Sequence, residues 1–203
     1  MNHLALRDTI LSLARRYDFE AGHSLQDERL ALRLFDETAA LGLHDLDETW
    51  DPDLDVAPRD LLSYAALLHD IGYWVGYFKH HKHAFKMILA QPIPGLSPRA
   101  QELVAHIARY HRASQPDPAR HKQFAALSPE DQALVTQLAA ILRFADGLDR
   151  THTDAVADLR CELAGDRLIV TLLPGRGDEA ERWAGQKKAR WFEQVFDLAV
   201  VLR

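Results

Sequence analysis

The stretch PRDLLSYAALLHDIG at residues 58–72 constrains the chain most. Leu61, Leu62, Ala65, Leu68 and His69 fall on one side of a helix that Pro58 opens and Gly72 closes. A helix this apolar must be buried, and its last turn carries an adjacent histidine and aspartate, His69-Asp70. The same periodicity recurs elsewhere. Leu30, Leu34, Phe35, Thr38 and Leu41 mark a helix from Ser24 to Leu41, with Ser24 and Asp27 placed like a capping box and Gly42 as its stop. A further helix is predicted from near His80 to about Ala90, where Pro92 and Pro94 end it. Ser97-Pro98 and Ser128-Pro129 are N-cap and first-turn pairs. The first opens a helix with Leu103, Val104, Ile107 and His111 in register. The second opens one carrying Leu134, Leu138, Ile141, Leu142 and Ala145, continuing to about Asp149. The acidic stretch from His44 to Val56, broken by Pro52, reads as a loop.

After residue 155 the pattern changes. Leu159–Leu163 and Arg167–Leu173 alternate like the arms of a hairpin about Gly165-Asp166, followed by a helix from Asp178 to about Phe192 and an apolar stretch from Leu198 to Leu202. The expected class is mainly α: a helical domain over residues 1–155 with a small C-terminal α/β appendage over 156–203 packed on it. Trp183, Trp191, Phe192 and Phe196 are expected in the core of that tail, a homodimer face being the alternative.

Length and composition suit one globular unit with no need of staples: 203 residues, 47% apolar and 27% charged. A net charge of −6 argues against a protein whose main partner is nucleic acid. The single cysteine, Cys161, has no internal partner, the charged N-terminal segment is unlike a secretory signal, and no apolar run is long enough to span a bilayer. A cytoplasmic protein with no membrane partner is expected.

Eleven histidines and twenty aspartates in a chain of this length give about one His-Asp pair by chance, and two occur. His44-Asp45 lies in the acidic loop, whereas His69-Asp70 ends an apolar helix. His69 stands four residues after Ala65, His111 four after Ile107, and Asp146 four after Leu142, so all three share the apolar faces of their helices. A lone histidine on such a face is more often a hydrogen-bonded core residue, and Asp146 alone would pair with Arg143 or Arg150. A carboxylate there is costly unless paired or metal-bound. Histidines and aspartates converging from several helices are how helical scaffolds build a metal site. His23, before the first long helix, and His83, in the run Lys79-His80-His81-Lys82-His83, are the remaining candidates. Mixed imidazole and carboxylate ligands suit Mn, Fe, Co, Ni or Zn better than Mg, which prefers oxygen.

Taken in order, AALLHDIGY, KHHKHAF, LVAHIARYHR, LSPED and LRFADGLDRTH resemble the HD domain that lies C-terminal to the catalytic domains of exopolyphosphatases and guanosine-pentaphosphate phosphatases. The likeness runs from about Tyr17 through the tail. It implies an HD-domain helical bundle and a metal-dependent phosphohydrolase whose first ion is held by His23, His69, Asp70 and Asp146, with His83 and His111 completing a two-metal site. His44 competes with His23 for the first position. The sixteen residues before Tyr17 are too few for the actin-like domains of those proteins, so an HD module standing alone is expected and polyphosphatase activity is not inherited. On this reading one or two divalent transition metal ions lower the pKa of a water and polarise a phosphoryl oxygen. Asp70 bridges and accepts the proton, and Arg112 and Arg143 neutralise phosphate charge, ahead of Lys82, Arg109 and Arg150. The expected partner is a small phosphorylated substrate such as a nucleotide. The same ligands suit two other classes: a non-catalytic nucleotide- or metal-sensing module, and a di-iron oxygenase.

Overall fold

The structure, a computed structural model, describes residues 3–46, 51, 54–174 and 179–203; Pro52 of the expected loop and the expected helix start at Asp178 lie outside them. It is mainly helical, with a small three-stranded sheet near the C-terminus. The helices are α1 (His3–Arg15), α2 (Ala21–Ala40), α3 (Pro58–Leu68), α4 (His80–Ile88), α5 (Pro98–Tyr110), a short α6 (Lys122–Ala125), α7 (Pro129–Asp146) and α8 (Glu179–Phe196). Short 3-10 turns follow α3 at Ile71–Trp74 and α7 at Gly147–Asp149.

The most apolar helix is the central one. α3 packs against α1, α2, α5 and α7, and Leu61, Leu62, Tyr64, Ala65, Leu67 and Leu68 are fully buried. Its apolar stripe therefore serves four neighbours, which is why it reads as hydrophobic nearly all round. Pro98 and Pro129 open α5 and α7 as expected, and the hydroxyls of Ser97 and Ser128 accept hydrogen bonds from the backbone N–H groups of Ala100 and Asp131. Gly42, with φ +71°, follows the end of α2 in the left-handed conformation that halts a helix.

One reading of the sequence needs correction here, and one element lies outside it. α2 begins at Ala21 with Glu20 at its N-cap, so Ser24 and Asp27 are not a capping box; both side chains are fully buried inside the helix. α1 was not anticipated. It buries Leu6, Ile10, Leu11, Leu13 and Ala14, a stripe at helical spacing interrupted by Arg7, Asp8 and Thr9.

The hairpin forms as expected. β1 (Val156–Ala164) pairs antiparallel with β2 (Arg167–Pro174), and Ala164 faces Arg167 across the Gly165 turn. The apolar tail becomes β3 (Ala199–Leu202), which runs parallel to β2 after the crossover through α8. The sheet is fastened to α2 by side chains: Gln26 Nε2 donates to Val156 O at 2.7 Å, Arg33 Nε to Leu159 O at 3.1 Å, and Cys161 N to Glu37 Oε2 at 2.7 Å. α8 lies against α7 and the 3-10 turn that follows it. Gly147 and Gly185 permit that approach, since a Cβ on Gly185 would lie 2.5 Å from Leu148 Cδ2. Trp191 and Phe192 enter the core as expected, but Trp183 does not: it is 67% exposed.

One core residue carries a pH dependence of its own. His106 on α5 is fully buried among Phe85, Tyr110 and Phe124, and neither ring nitrogen has a hydrogen-bond partner among the described residues. Burial, helped by the charge of Arg109, pushes its imidazole from 6.5 down to about 4. An unfolded His106 binds a proton near pH 6.5 while the folded one resists, so stability is full above 6.5 and falls as the pH drops toward 4. The loss is about 3 kcal/mol across that window. Urea melts of a His106→Met variant are expected to gain by this amount relative to the parent between pH 7 and pH 4; parallel pH profiles would contradict it.

Candidate metal centre

The chemistry-bearing residues come together where the ends of α3, α5 and α7 meet the start of α2. His23 sits on the first turn of α2, and Asp27 one turn later on the same face. His69 and Asp70 follow the last residue of α3, His80 begins α4, His111 follows α5, and Asp146 ends α7. Each therefore stands on or beside a packed helix terminus and is held by the core behind it.

Two overlapping groups result. Donor atoms of His23, Asp27, His69 and Asp146 all lie within 4.8 Å of one another, as do those of His69, Asp70 and His111. Asp70 joins the two. Its Oδ2 is 3.4 Å from His69 Nε2 and 3.9 Å from His23 Nε2, while its Oδ1 is 3.1 Å from His80 Nε2 and 3.6 Å from His111 Nε2. Asp146 Oδ1 is 3.7 Å from His23 Nε2.

All four imidazoles are oriented alike. His69 Nδ1 donates to Ala66 O at 2.7 Å, His111 Nδ1 to Ala108 O at 2.7 Å and His80 Nδ1 to Tyr77 O at 3.1 Å, while His23 Nδ1 lies 2.8 Å from Asp149 Oδ2. An imidazole whose Nδ1 proton is engaged behind it presents an Nε2 lone pair in front, the arrangement of metal-bound histidine. His69 Nε2 and both oxygens of the fully buried Asp27 have no hydrogen-bond partner among the described residues, whereas His80 Nε2 meets Arg112 and Asp146 Oδ2 meets Lys188. Such atoms cost several kcal/mol each when buried with nothing to bind, which a cation at the centre would offset. The residues thus fit a divalent ion.

The electrostatics agree. Burial alone would raise the Asp70 carboxyl, but the charge of His69, the close approach of the His69 and His80 imidazoles and the charge of His111 hold it well below the ordinary carboxylate range. Burial pushes Asp27 upward, reinforced by the neighbouring Asp146. His69 is driven up to about 10: burial opposes its protonation, but Asp70, Asp27 and Asp146 overcome it. Without a cation, the cluster therefore draws in protons.

The cluster opens into a cleft of about 690 Å³. Six of its lining side chains are cationic, Arg112, Arg143, Arg150, Lys187, Lys188 and Arg190, against the acids Asp70 and Asp146. In a chain of net charge −6 this is a strong local reversal. Arg112 lies 3.1 Å from His80 Nε2, and Arg143 donates to Ala113 O and sits 5.3 Å over the Trp191 ring. Lys188 donates to Asp146 Oδ2, so that Asp146 pairs with neither Arg143 nor Arg150. Lys187, Lys188, Arg190 and Trp183 all come from α8, so the tail forms a wall of the cleft.

Of the residues singled out from sequence, His23, His69, Asp70, His111 and Asp146 are brought together, and Arg112 and Arg143 line the cleft beside them. His83 is not brought in. It is half-buried on α4, and His80, three residues earlier, occupies the position beside Asp70. His44 lies apart from the cluster, 3.1 Å from the Thr38 hydroxyl. Besides His80, three residues were missed: Asp27, hidden by its resemblance to a cap; Asp149, behind His23; and His152, whose ring stacks on His23 at 3.8 Å. The spacing of Asp27, four residues after His23, was the available signal for the first.

Comparison with known proteins gives the family. Residues 6–176 match the family model described as Ppx/GppA phosphatase, domain III. The chain is 30% identical over 174 residues to a guanosine-5'-triphosphate,3'-diphosphate pyrophosphatase of Aeromonas hydrophila, a match covering 83% of this chain and 32% of that protein. The chain thus spans about a third of the length of the curated relative it matches. The chain belongs to the Ppx/GppA phosphatase domain III family.

Proposed function

We propose that the chain is an HD-type metal-dependent phosphohydrolase acting on a nucleotide or another phosphoester or phosphoanhydride. The observation that carries this reading is the union of two features: four histidines presenting Nε2 toward three carboxylates, and a cationic cleft opening directly onto them. His23, His69, Asp70 and Asp146 would hold one divalent ion, with Asp70, His80 and His111 positioned for a second; Mn, Fe, Co, Ni and Zn suit this donor set. Such an ion supplies an activated water and a Lewis acid for the phosphoryl oxygen.

The protein's own groups account for the rest. Asp70, ionised at any working pH, is an anionic bridge between the two halves and a proton acceptor of low basicity. Arg112, beside His80, and Arg143 line the cleft, where charge-assisted hydrogen bonds to phosphate oxygens would neutralise the substrate. Lys187, Lys188 and Arg190 extend that positive surface along α8, enough for more than one phosphate group. Trp183 and Tyr77, 67% and 74% exposed on the lining, are flat apolar faces on which a nucleobase can stack. No helix among the described residues is long and apolar enough to cross a membrane.

The test is metal analysis of protein purified without chelator, followed by phosphate release from a panel of nucleotides and small phosphoesters with Mn²⁺. Metal at one or two ions per chain and turnover of at least one nucleotide is expected. Full metal occupancy without release across the panel would move the reading to a sensing module, and bound iron with an oxygen-dependent visible spectrum would move it to an oxygenase.

A further inference from the structure

Asp27 does not behave like the other acids of this chain. It sits inside α2 at 0% exposure, on the helix face that continues through Leu30, Ala31 and Leu34 into the core. An apolar residue is what that face calls for. A carboxylate there normally shows its reason in a partner, as Glu28 does with Arg7 and Ser63. Neither oxygen of Asp27 has a hydrogen-bond partner among the described residues. Its Oδ2 instead lies 3.5 Å from His23 Nε2 and 3.5 Å from His69 Nε2. These are too long for hydrogen bonds of good geometry. They are close to the separation of two donors that share one ion at about 2.1 Å, which is roughly 3.0–3.4 Å between octahedral and tetrahedral arrangements.

We infer that Asp27 is itself a ligand of the ion, joining His23, His69, Asp70 and Asp146 in a set of two imidazoles and three carboxylates. This rests on the reading that the cluster binds metal, and it adds a residue to that reading. Five protein donors leave one position of a six-coordinate ion for water or substrate. Three carboxylates also make the donor set anionic and oxygen-rich, favouring six-coordinate Mn²⁺ or Fe²⁺ over four-coordinate Zn²⁺. The placement explains itself locally, since residues four apart on a helix share a face and His23 and Asp27 reach one point from one rigid element.

The alternative is a structural one, in which Asp27 does no more than hold the imidazoles of His23 and His69. The two predict opposite signs in the absence of metal. Chelator-treated wild type, Asp27→Asn and Asp27→Ser are titrated with Mn²⁺ by calorimetry and melted with and without saturating Mn²⁺. If Asp27 is a ligand, both variants bind Mn²⁺ about 100-fold more weakly or worse. Asp27→Asn then melts at or above wild type without metal, because a buried carboxylate with no hydrogen bond has gone, and below it with Mn²⁺. Unchanged Mn²⁺ affinity in the variants, or a metal-free Asp27→Asn that melts below wild type, overturns the assignment and leaves the metal site standing. Failure of wild type itself to bind Mn²⁺, Fe²⁺ or Zn²⁺ overturns the metal reading, and this one with it.

Discussion

Asp70→Ala protein is expected to keep its helical fold while losing about a thousand-fold in phosphate release and most of its bound metal. The size of the effect follows from position. Asp70 is the residue whose two oxygens face different halves of the cluster, Oδ2 toward His23 and His69 and Oδ1 toward His80 and His111. Removing it takes a donor from both halves at once and leaves the imidazoles without the anion that holds them. His69→Ala is expected to match it, because His69 belongs to both donor groups. Asp149→Asn is a graded control. Asp149 does not face the centre but orients His23 through its Nδ1 at 2.8 Å, and outer partners of this kind are worth about 10–100-fold. Initial rates of phosphate release, metal content by mass spectrometry and far-UV circular dichroism separate these outcomes. Asp70→Ala turning over within tenfold of wild type, with native dichroism, would remove this cluster from the chemistry.

The fold was legible in sequence wherever a cap and an apolar stripe coincided. Ser97-Pro98 and Ser128-Pro129 opened helices at the residues expected, and the Gly165 turn set the hairpin register. α1 escaped because Arg7, Asp8 and Thr9 interrupt its apolar stripe, and its stability comes from burial of Leu6, Ile10 and Leu13. The site was legible in the same measure. His69, His111 and Asp146 were found because each continues a stripe on a long helix, where phase is fixed by many residues. His83 was chosen over His80 because Lys79-His80-His81-Lys82-His83 lies at a helix start, where the stripe has not yet declared its phase. The phase is set instead by Lys79, in the left-handed conformation at φ 60°, and by what α4 packs on. Asp27 was misread for a different reason. Ser-x-x-Asp is a capping pattern in one place and a buried carboxylate in another, and only the true start of α2 at Ala21 distinguishes them.

What α4 packs on is Gly72, and Gly72→Ala is expected to be among the most damaging single-methyl changes in the chain. The 3-10 turn of Ile71–Trp74 passes directly beneath the first turn of α4. A Cβ on Gly72 would lie 2.0 Å from His80 O and 2.6 Å from Ala84 N, both backbone atoms that no rotamer change can move aside. α4 would have to lift away, breaking the packing of Ala84, Phe85 and Ile88, all buried, for a cost of about 3 kcal/mol or more. For a chain of this size that is on the order of 10 °C in melting temperature. The same displacement carries His80 away from Asp70 and loosens its contact with Arg112, so the part of the cluster around Asp70, His80 and His111 fails even in molecules that remain folded. Gly22→Ala is the matched control: a Cβ there meets nothing within 4 Å, and relief of glycine's backbone entropy in α2 should stabilise by about 0.5 kcal/mol. Thermal melts of the two variants, with metal stoichiometry on the folded fraction, test both halves of the argument. A Gly72→Ala protein that melts with wild type and binds as much metal would show that α4 is not held where its contact with Gly72 puts it.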